Sequence, residues 1–127
     1  MIQVHQLHAR AGAFSIRDVS FTVPQGCYGV LMGRTGSGKT TLLEAICGLR
    51  HVVAGRIRIG DRDVTDLKPA ERGIGLVPQD LALFPTMSVR RHLAFALEIR
   101  RVPPATIDAR VTELARLLGI AHLLDRS

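Results

Sequence analysis

Residues 33–40 read Gly33-Arg34-Thr35-Gly36-Ser37-Gly38-Lys39-Thr40 and fit the pattern G-x-x-x-x-G-K-[ST] of a phosphate-binding loop, or P-loop. Glycines let successive backbone N–H groups point at the phosphates, and a following helix adds its partially positive N-terminus. The ammonium of Lys39 suits the phosphate oxygens, and the hydroxyl of Thr40 suits Mg²⁺. We therefore predict that residues 33–41, which include Thr41, bind a nucleotide phosphate.

The flanks of the P-loop support this prediction. Residues 27–32 form a continuous apolar run of strand length, which predicts a buried strand leading into the loop. Residues 39–49 have helical periodicity and a glycine stop at Gly48, with these apolar residues on one side: Leu42, Leu43, Ile46 and Leu49. Lys39 is also one of only two lysines in the chain. A glycine-rich turn with an incidental lysine would not explain this combination.

The remaining elements follow from local patterns. Alternation of apolar and polar residues predicts half-buried strands at 2–7 and 18–23, and a hairpin over 55–65. Residues 74–77 predict a second buried strand, closed by Pro78. Ser88 is a candidate N-cap for a helix. Two amphipathic helices, separated by Pro103-Pro104, are predicted from the stripes Val89, Leu93, Ala96, Leu97 and Ile107, Val111, Leu114, Leu118.

Composition sets the general class of the protein. The chain has 127 residues, 46% hydrophobic and 22% charged, which is typical of one soluble globular domain. It contains no apolar run near the roughly 18 residues of a membrane span and no secretory signal, so we expect a cytoplasmic protein. Cys27 and Cys47 lack the spacing of a zinc or redox site, and we expect both to be reduced and buried.

The net charge of +6 raises the question of nucleic-acid binding. With two lysines among 17 basic residues, the other 15 are arginines, and they are spread along the chain. Aromatic residues, which stack on bases, make up only 4%. We therefore do not expect a nucleic-acid partner. A basic face suited to a membrane surface or a partner protein is the favoured interpretation.

Among P-loop classes, GTPases are excluded because their second and third motifs are absent, whereas small-molecule kinases are not excluded by motif alone. Beyond the P-loop, the sequence resembles the nucleotide-binding subunits of ATP-binding-cassette (ABC) importers over essentially its whole length. The matching segments are Asp18-Val19-Ser20-Phe21, residues 33–43, Gly48-Leu49, Gly55-Arg56-Ile57, Asp63-Val64-Thr65, Val77-Pro78-Gln79-Asp80, Leu83-Phe84-Pro85 and Met87-Ser88-Val89.

The resemblance implies an α/β fold: a P-loop NTPase (ABC ATPase) core, here incomplete, with an antiparallel β subdomain in residues 1–79 and the start of the helical subdomain in residues 80–127. It implies ATP and Mg²⁺ as cofactors, with Lys39 and Gln79 as catalytic residues and with Thr40 and Gln79 at the metal. Gln79 would contact Mg²⁺ and the attacking water. The implied partners are integral-membrane permease subunits, contacted by residues 80–89, a second nucleotide-binding subunit in the full-length form, and indirectly a solute-binding protein. The implied location is the inner face of the cell membrane.

Within the importers, the resemblance is closest to the oxyanion type, which takes up molybdate, tungstate or sulfate, through residues 63–67 and 121–126. Sugar, polyamine and ferric-iron importers share much of the same sequence. The transported solute therefore stays open at this point.

Several family features are missing from the sequence. No aromatic residue stands where the family stacks adenine; Phe14 and His8 are substitutes, although we expect Phe14 to pack in the core. The signature motif, the Walker B acid and the switch histidine are absent, and Asp80 is a poorly placed replacement acid. The chain alone is therefore expected to bind nucleotide weakly, without hydrolysis, and to expose sheet edges and apolar faces that make it poorly soluble. The alternative is a truncated, non-catalytic nucleotide-binding or permease-docking module acting through residues 80–100.

Overall fold

A computed structural model of the chain describes residues 1–79 and 83–126. They form two compact units, Met1–Val77 and Pro78–Ser127. The strands are β1 (Ile2–Ala11), β2 (Phe14–Val23), β3 (Val52–Ile59) and β4 (Arg62–Asp63), and the helices are α1 (Lys39–Cys47), α2 (Val89–Ile99) and α3 (Pro104–Leu117). Two 3₁₀ turns complete the elements, at Pro69–Glu71 and Ala121–Leu123.

The first unit contains a four-stranded antiparallel sheet in the order β2-β1-β3-β4. The core side of the sheet includes Val4, Leu7 and Ile57, at 3%, 0% and 0% exposure. Regular alternation would place Val4 and Leu7 on opposite faces, and the irregular pairing between them lets both be buried. The predicted strands at 2–7 and 18–23 and the predicted hairpin over 55–65 are confirmed. β1 and β2 extend further than predicted and meet in a hairpin whose last pair is Ala11 with Phe14.

The sheet is bent by irregular pairing in β1. Its register with β2 shifts between Val4 and Leu7, and Gln6 and Asp18 have positive φ angles of 45° and 54°. Bulges of this kind bend a strand and increase its twist. The Gln6 N–H is nonetheless satisfied, because it donates to the Ser20 hydroxyl at 2.8 Å. The bend therefore does not leave this donor unpaired.

Helix α1 packs on β1 through one side, where Thr41, Leu42, Ala45 and Ile46 are buried. It ends at Gly48, as predicted, in a left-handed cap with φ 81°. The predicted apolar stripe is partly wrong. Leu43 and Leu49 lie outside the buried side and are 45% and 55% exposed.

The predicted buried strands at 27–32 and 74–77 are wrong in this structure. Both segments lack hydrogen-bonded strand partners among the described residues, and their side chains are largely exposed, with Tyr28 at 101%, Met32 at 85% and Val77 at 94%. A strand is defined by its hydrogen-bonded neighbours, and none of the four described strands pairs with these segments. Cys27 is consequently exposed rather than buried, and Cys47 is half-buried; both are free thiols, as predicted.

An open apolar groove of about 540 Å³ lies beside residues 27–31. β2 contributes Phe21 and Val23 to its wall, and α1 contributes Leu42, Leu43 and Ile46. The prediction that apolar helix faces would be open is confirmed for α1, where Leu43 is 45% exposed.

The second unit is built from α2 and α3, which pack against each other through Ala94, Val111 and Ala115. Both predicted helices are confirmed, and the Ser88 hydroxyl caps α2 by accepting from the Arg91 N–H at 3.4 Å. α3 begins at Pro104, where the missing N–H is tolerated. Within residues 1–79 and 83–126, no helix is both long and apolar enough to cross a bilayer.

Candidate functional site

The P-loop ends where α1 begins, and this junction presents unpaired donors. Gly38 is the N-cap of α1 with φ 93°, and no side chain caps the helix. The Leu42 N–H makes the first helical bond, to the Gly38 carbonyl, at 2.9 Å. The N–H groups of the first turn therefore have no intrahelical acceptor and lie at the positive end of the helix dipole. Such a helix end is suited to an anion.

The ammonium of Lys39 lies over the loop. Its Nζ donates to the carbonyls of Gly33 and Arg34, both at 2.8 Å. The Arg34 carbonyl also accepts from the Ser37 N–H at 3.2 Å, which closes a turn inside the loop. An ammonium has three donors, so these two bonds leave one for a ligand. The structure thus brings the predicted lysine to the predicted loop.

Gly38 fits closely against the end of β2. A Cβ atom at this position would lie 2.5 Å from Ile16 Cγ2 and 2.8 Å from Phe14 Cε1. A side chain is thus excluded by contact as well as by the positive φ angle. The expectation that Phe14 is a core residue is wrong, because its ring is 41% exposed at the hairpin end. The ring borders the P-loop instead.

The other predicted phosphate and metal residues are placed as follows. Thr40 is exposed on the first turn of α1, whereas Thr41 is buried at 7% exposure. Gln79 is exposed and belongs to the second unit. Asp80 lies outside the described residues. The roles predicted for these residues and for Arg34 stay predictions.

Arg72 is a buried residue that sequence reasoning missed. It is 6% exposed and donates four hydrogen bonds to backbone carbonyls: Ala45 and Ile46 at 2.9 Å, Thr65 at 2.9 Å and Leu67 at 2.8 Å. Burial lowers the pKa of its guanidinium, and the nearby Cys47 and Asp66 partly oppose that shift. Sequence alone gave no signal for it, because all four acceptors are backbone atoms, two of them 26 and 27 residues away.

A second polar cluster lies at the end of the β3–β4 hairpin. The Thr65 hydroxyl donates to Asp63 Oδ1 at 2.6 Å, and the Thr65 N–H donates to the same oxygen at 3.0 Å. These bonds lower the pKa of the Asp63 carboxyl. The Asp-x-Thr spacing could have predicted this local turn. Among the described residues, no group of three or more His, Cys, Asp or Glu side chains could hold a metal ion.

In the second unit, the predicted docking segment is tied to α2. Residues 80–82 lie outside the described residues, but Leu83 and Phe84 are 63% and 49% exposed. The Phe84 N–H donates to Nε2 of His92 at 2.9 Å, and His92 Nδ1 lies 2.9 Å from the Ser88 carbonyl. The Phe84 ring also packs on Phe95, with the centroids 5.3 Å apart. This apolar segment is therefore held in place while remaining exposed.

Comparison with known proteins agrees with this geometry. The family model described as ABC transporter matches residues 16–127. This chain belongs to the ABC transporter family. The resemblance described above and the predicted fold class, an incomplete P-loop NTPase core, are confirmed. Lys39 and its loop carbonyls lie within the matched region.

Several curated relatives are ATP-binding proteins of importers. The molybdate/tungstate import ATP-binding proteins of Archaeoglobus fulgidus and Thermococcus kodakarensis are 52% and 48% identical over 117 and 113 residues, covering 92% and 89% of this chain. The sn-glycerol-3-phosphate import ATP-binding protein of Rhodopseudomonas palustris is 46% identical over 115 residues, covering 91%. The matches span 47%, 34% and 32% of those relatives, so the chain spans less than half of their length.

Solved structures show the same fold. An ATP-binding cassette of an ABC transporter superposes with a TM-score of 0.81 at 24% identity, covering 100% of this chain and 57% of that one. A dimeric ATP-binding cassette bound to ADP and Pi superposes with a TM-score of 0.82 at 21% identity, covering 98% and 60%. At these identities the likeness establishes the fold alone.

Proposed function

We propose that this chain is the phosphate-binding, N-terminal part of the ATP-binding subunit of an ABC importer. The observation that carries the proposal is the position of Lys39 Nζ, 2.8 Å from two P-loop carbonyls and beside the uncapped start of α1. This arrangement combines a cation, a helix N-terminus and glycine-rich backbone in one place, which is what a chain of phosphates requires. The importer relatives support the assignment of the nucleotide as ATP.

The residues have separate tasks at the nucleotide. The first-turn N–H groups of α1 and the loop backbone bind the phosphate oxygens, and Lys39 contacts them through its free donor or by leaving one loop carbonyl. The exposed Thr40 hydroxyl fits a role as an Mg²⁺ ligand, whereas the proposed role of Gln79 at the metal rests on the family resemblance alone. An Mg²⁺ ion held there would supply positive charge that offsets the charge of the phosphates. Thr40 lies next to Lys39 on the first turn of α1, so both residues belong to the proposed phosphate-binding end of the helix.

Phe14 is proposed as the residue that contacts the adenine. Its ring borders Gly38, is 41% exposed, and pairs across the hairpin with Ala11. An exposed aromatic ring beside a phosphate site offers a stacking surface for a base, worth about 1–3 kcal/mol. His8 is the weaker substitute, because it lies further from the hairpin end, opposite Ala54 of β3. The adenine would therefore stack on the first residue of β2.

The proposed cellular role follows the importer relatives. In the full-length protein, binding and hydrolysis of ATP by a pair of such subunits would be coupled to transport of a small solute. An oxyanion is the proposed solute, because both relatives with the highest identities above import molybdate or tungstate. Exposed Leu83 and Phe84 fit a role in contacting the permease at the inner face of the membrane. Hydrolysis needs a carboxylate that orients water, so the 127-residue chain is proposed to bind ATP without turning it over.

The proposal is tested by titrating the chain with MgATP and comparing Lys39→Ala with Lys68→Ala. Lys68 is the only other lysine, so its variant removes the same charge elsewhere in the chain. We expect Lys39→Ala to abolish detectable binding and Lys68→Ala to bind like the wild type. Equal affinity in all three proteins would contradict the proposed phosphate site. Absence of binding in the wild type, with retained capture of a permease subunit, would favour the docking-module alternative.

The role of Phe14 is tested by replacing ATP with tripolyphosphate, which has no base. Phe14→Ala should weaken MgATP binding about 5- to 100-fold and leave Mg-tripolyphosphate binding nearly unchanged. Phe14→Tyr should retain MgATP affinity because it keeps the ring. Equal weakening of both ligands would mean that Phe14 only shapes the loop.

A further inference from the structure

Arg72 joins the end of α1 to the loop that follows the β3–β4 hairpin. Two of its hydrogen bonds reach the C-terminal carbonyls of α1, at Ala45 and Ile46, and two reach Thr65 and Leu67. We propose that Arg72 is a positioning residue for nucleotide binding: it fixes α1 so that the opposite end of the helix presents its N–H groups and Lys39 correctly. This inference rests on the proposed phosphate site.

Helix α1 needs such an anchor because its apolar contacts cover only one side. That side is buried on β1, but Leu42 and Ile46 at its edge, together with the exposed Leu43, border the open 540 Å³ groove. α1 has nine residues and is about 13 Å long. If its C-terminal end shifts, this short rigid helix tilts and its N-terminal end shifts as well. Misplacement of a binding group by about 1 Å can reduce its effect as much as a hundredfold. The clamp at the C-terminal end of α1 therefore controls the phosphate-binding end.

The chemistry of the clamp is specific to arginine. A planar guanidinium has five N–H donors in a fixed fork, and here it serves four carbonyls on two different segments. The C-terminal carbonyls of a helix carry partial negative charge, so a cation there is favourable. Among the described residues, Arg72 forms no ion pair with a carboxylate. The lack of a side chain at Gly48 makes room, because a Cβ there would lie 2.6 Å from Arg72 Nε.

The test compares Arg72→Met and Arg72→Lys with the control Arg50→Met. Arg50 also lies beside the end of α1, where it pairs with Glu44 at 2.7 Å, but it is exposed. Affinity for MgATP is measured at a temperature at which unfolding curves show every variant to be folded. Nucleotide-free ¹H–¹⁵N spectra report the amides of residues 36–41. We expect Arg72→Met to weaken MgATP binding about tenfold or more, Arg72→Lys to restore part of the affinity, and Arg50→Met to match the wild type.

The spectra distinguish this proposal from the proposed function. Shifted loop amides in Arg72→Met but not in Arg50→Met would support the positioning role, whether or not the wild type binds MgATP. Failure of the wild type to bind MgATP would contradict only the proposed function. Lower unfolding temperature with unchanged affinity and unchanged loop amides would overturn the proposal, because Arg72 would then be purely structural. Should Arg72→Met not fold, Arg72→Lys decides between these outcomes by the same two measurements.

Discussion

Gly38→Ala should destabilise the nucleotide-free chain more than Gly36→Ala, although both replace a P-loop glycine with a positive φ angle, 93° and 80°. An alanine in this region costs about 1–2 kcal/mol from backbone strain alone. A Cβ at Gly36 meets no atom within 4 Å, so strain is its whole cost. A Cβ at Gly38 also meets Ile16 at 2.5 Å and Phe14 at 2.8 Å, which adds about 1–3 kcal/mol for overpacking. The expected loss is thus about 2–5 kcal/mol for Gly38→Ala.

The assay is urea unfolding of the two variants and the wild type without nucleotide, followed by circular dichroism. The difference between the variants isolates the contact of the loop with β2, because the strain is common to both. Equal destabilisation, or a larger effect at Gly36, would refute the packing of Gly38 against the end of β2. The slope of the unfolding free energy against urea concentration should be the same in all three proteins. A changed slope in one variant would show that the surface exposed on unfolding has changed.

Two further predictions follow from the pKa shifts. Hydrogen bonds from Thr65 lower the pKa of the Asp63 carboxyl, so its ionised form stabilises the fold. This stability is fully present above the ordinary aspartate pKa of about 4 and is lost as the pH falls through the lowered pKa. The stability difference between wild type and Asp63→Asn should therefore shrink below pH 4 in acid-dependent urea melts; a constant difference down to pH 2.5 would be inconsistent with this. Burial raises the pKa of Cys47, so a thiol reagent at pH 8 should modify exposed Cys27 first, as peptide mapping would show, and preferential labelling of Cys47 would contradict its environment.

Features encoded by neighbouring residues were predictable from the sequence. The P-loop, the cap at Gly48, the Ser88 N-cap and the β3–β4 hairpin each depend on a few residues in a row, and the structure has all of them. Residues 27–32 have the composition of a buried strand, but pairing depends on neighbours that are not next to them in sequence. Composition reports how apolar a segment is and not what lies beside it.

In the candidate site, too, contacts between residues close in sequence could be predicted, and contacts between distant residues could not. The position of Lys39 over the loop could be predicted, since both carbonyls that accept from it lie within six residues. The border between Phe14 and Gly38 could not, because it depends on how the bent hairpin lies over the loop. Arg72 was missed for a related reason: its acceptors are carbonyls, which every residue carries, so no side-chain pattern marks them.

A phosphate site without a hydrolytic acid should bind MgATP and release no phosphate. Both quantities can be measured on one preparation of the chain and one of Lys39→Ala. We expect the wild type to bind MgATP, the variant to lose binding, and neither to release phosphate above background. Phosphate release by the wild type that disappears in Lys39→Ala would contradict this expectation, because a carboxylate within these 127 residues would then be orienting the attacking water.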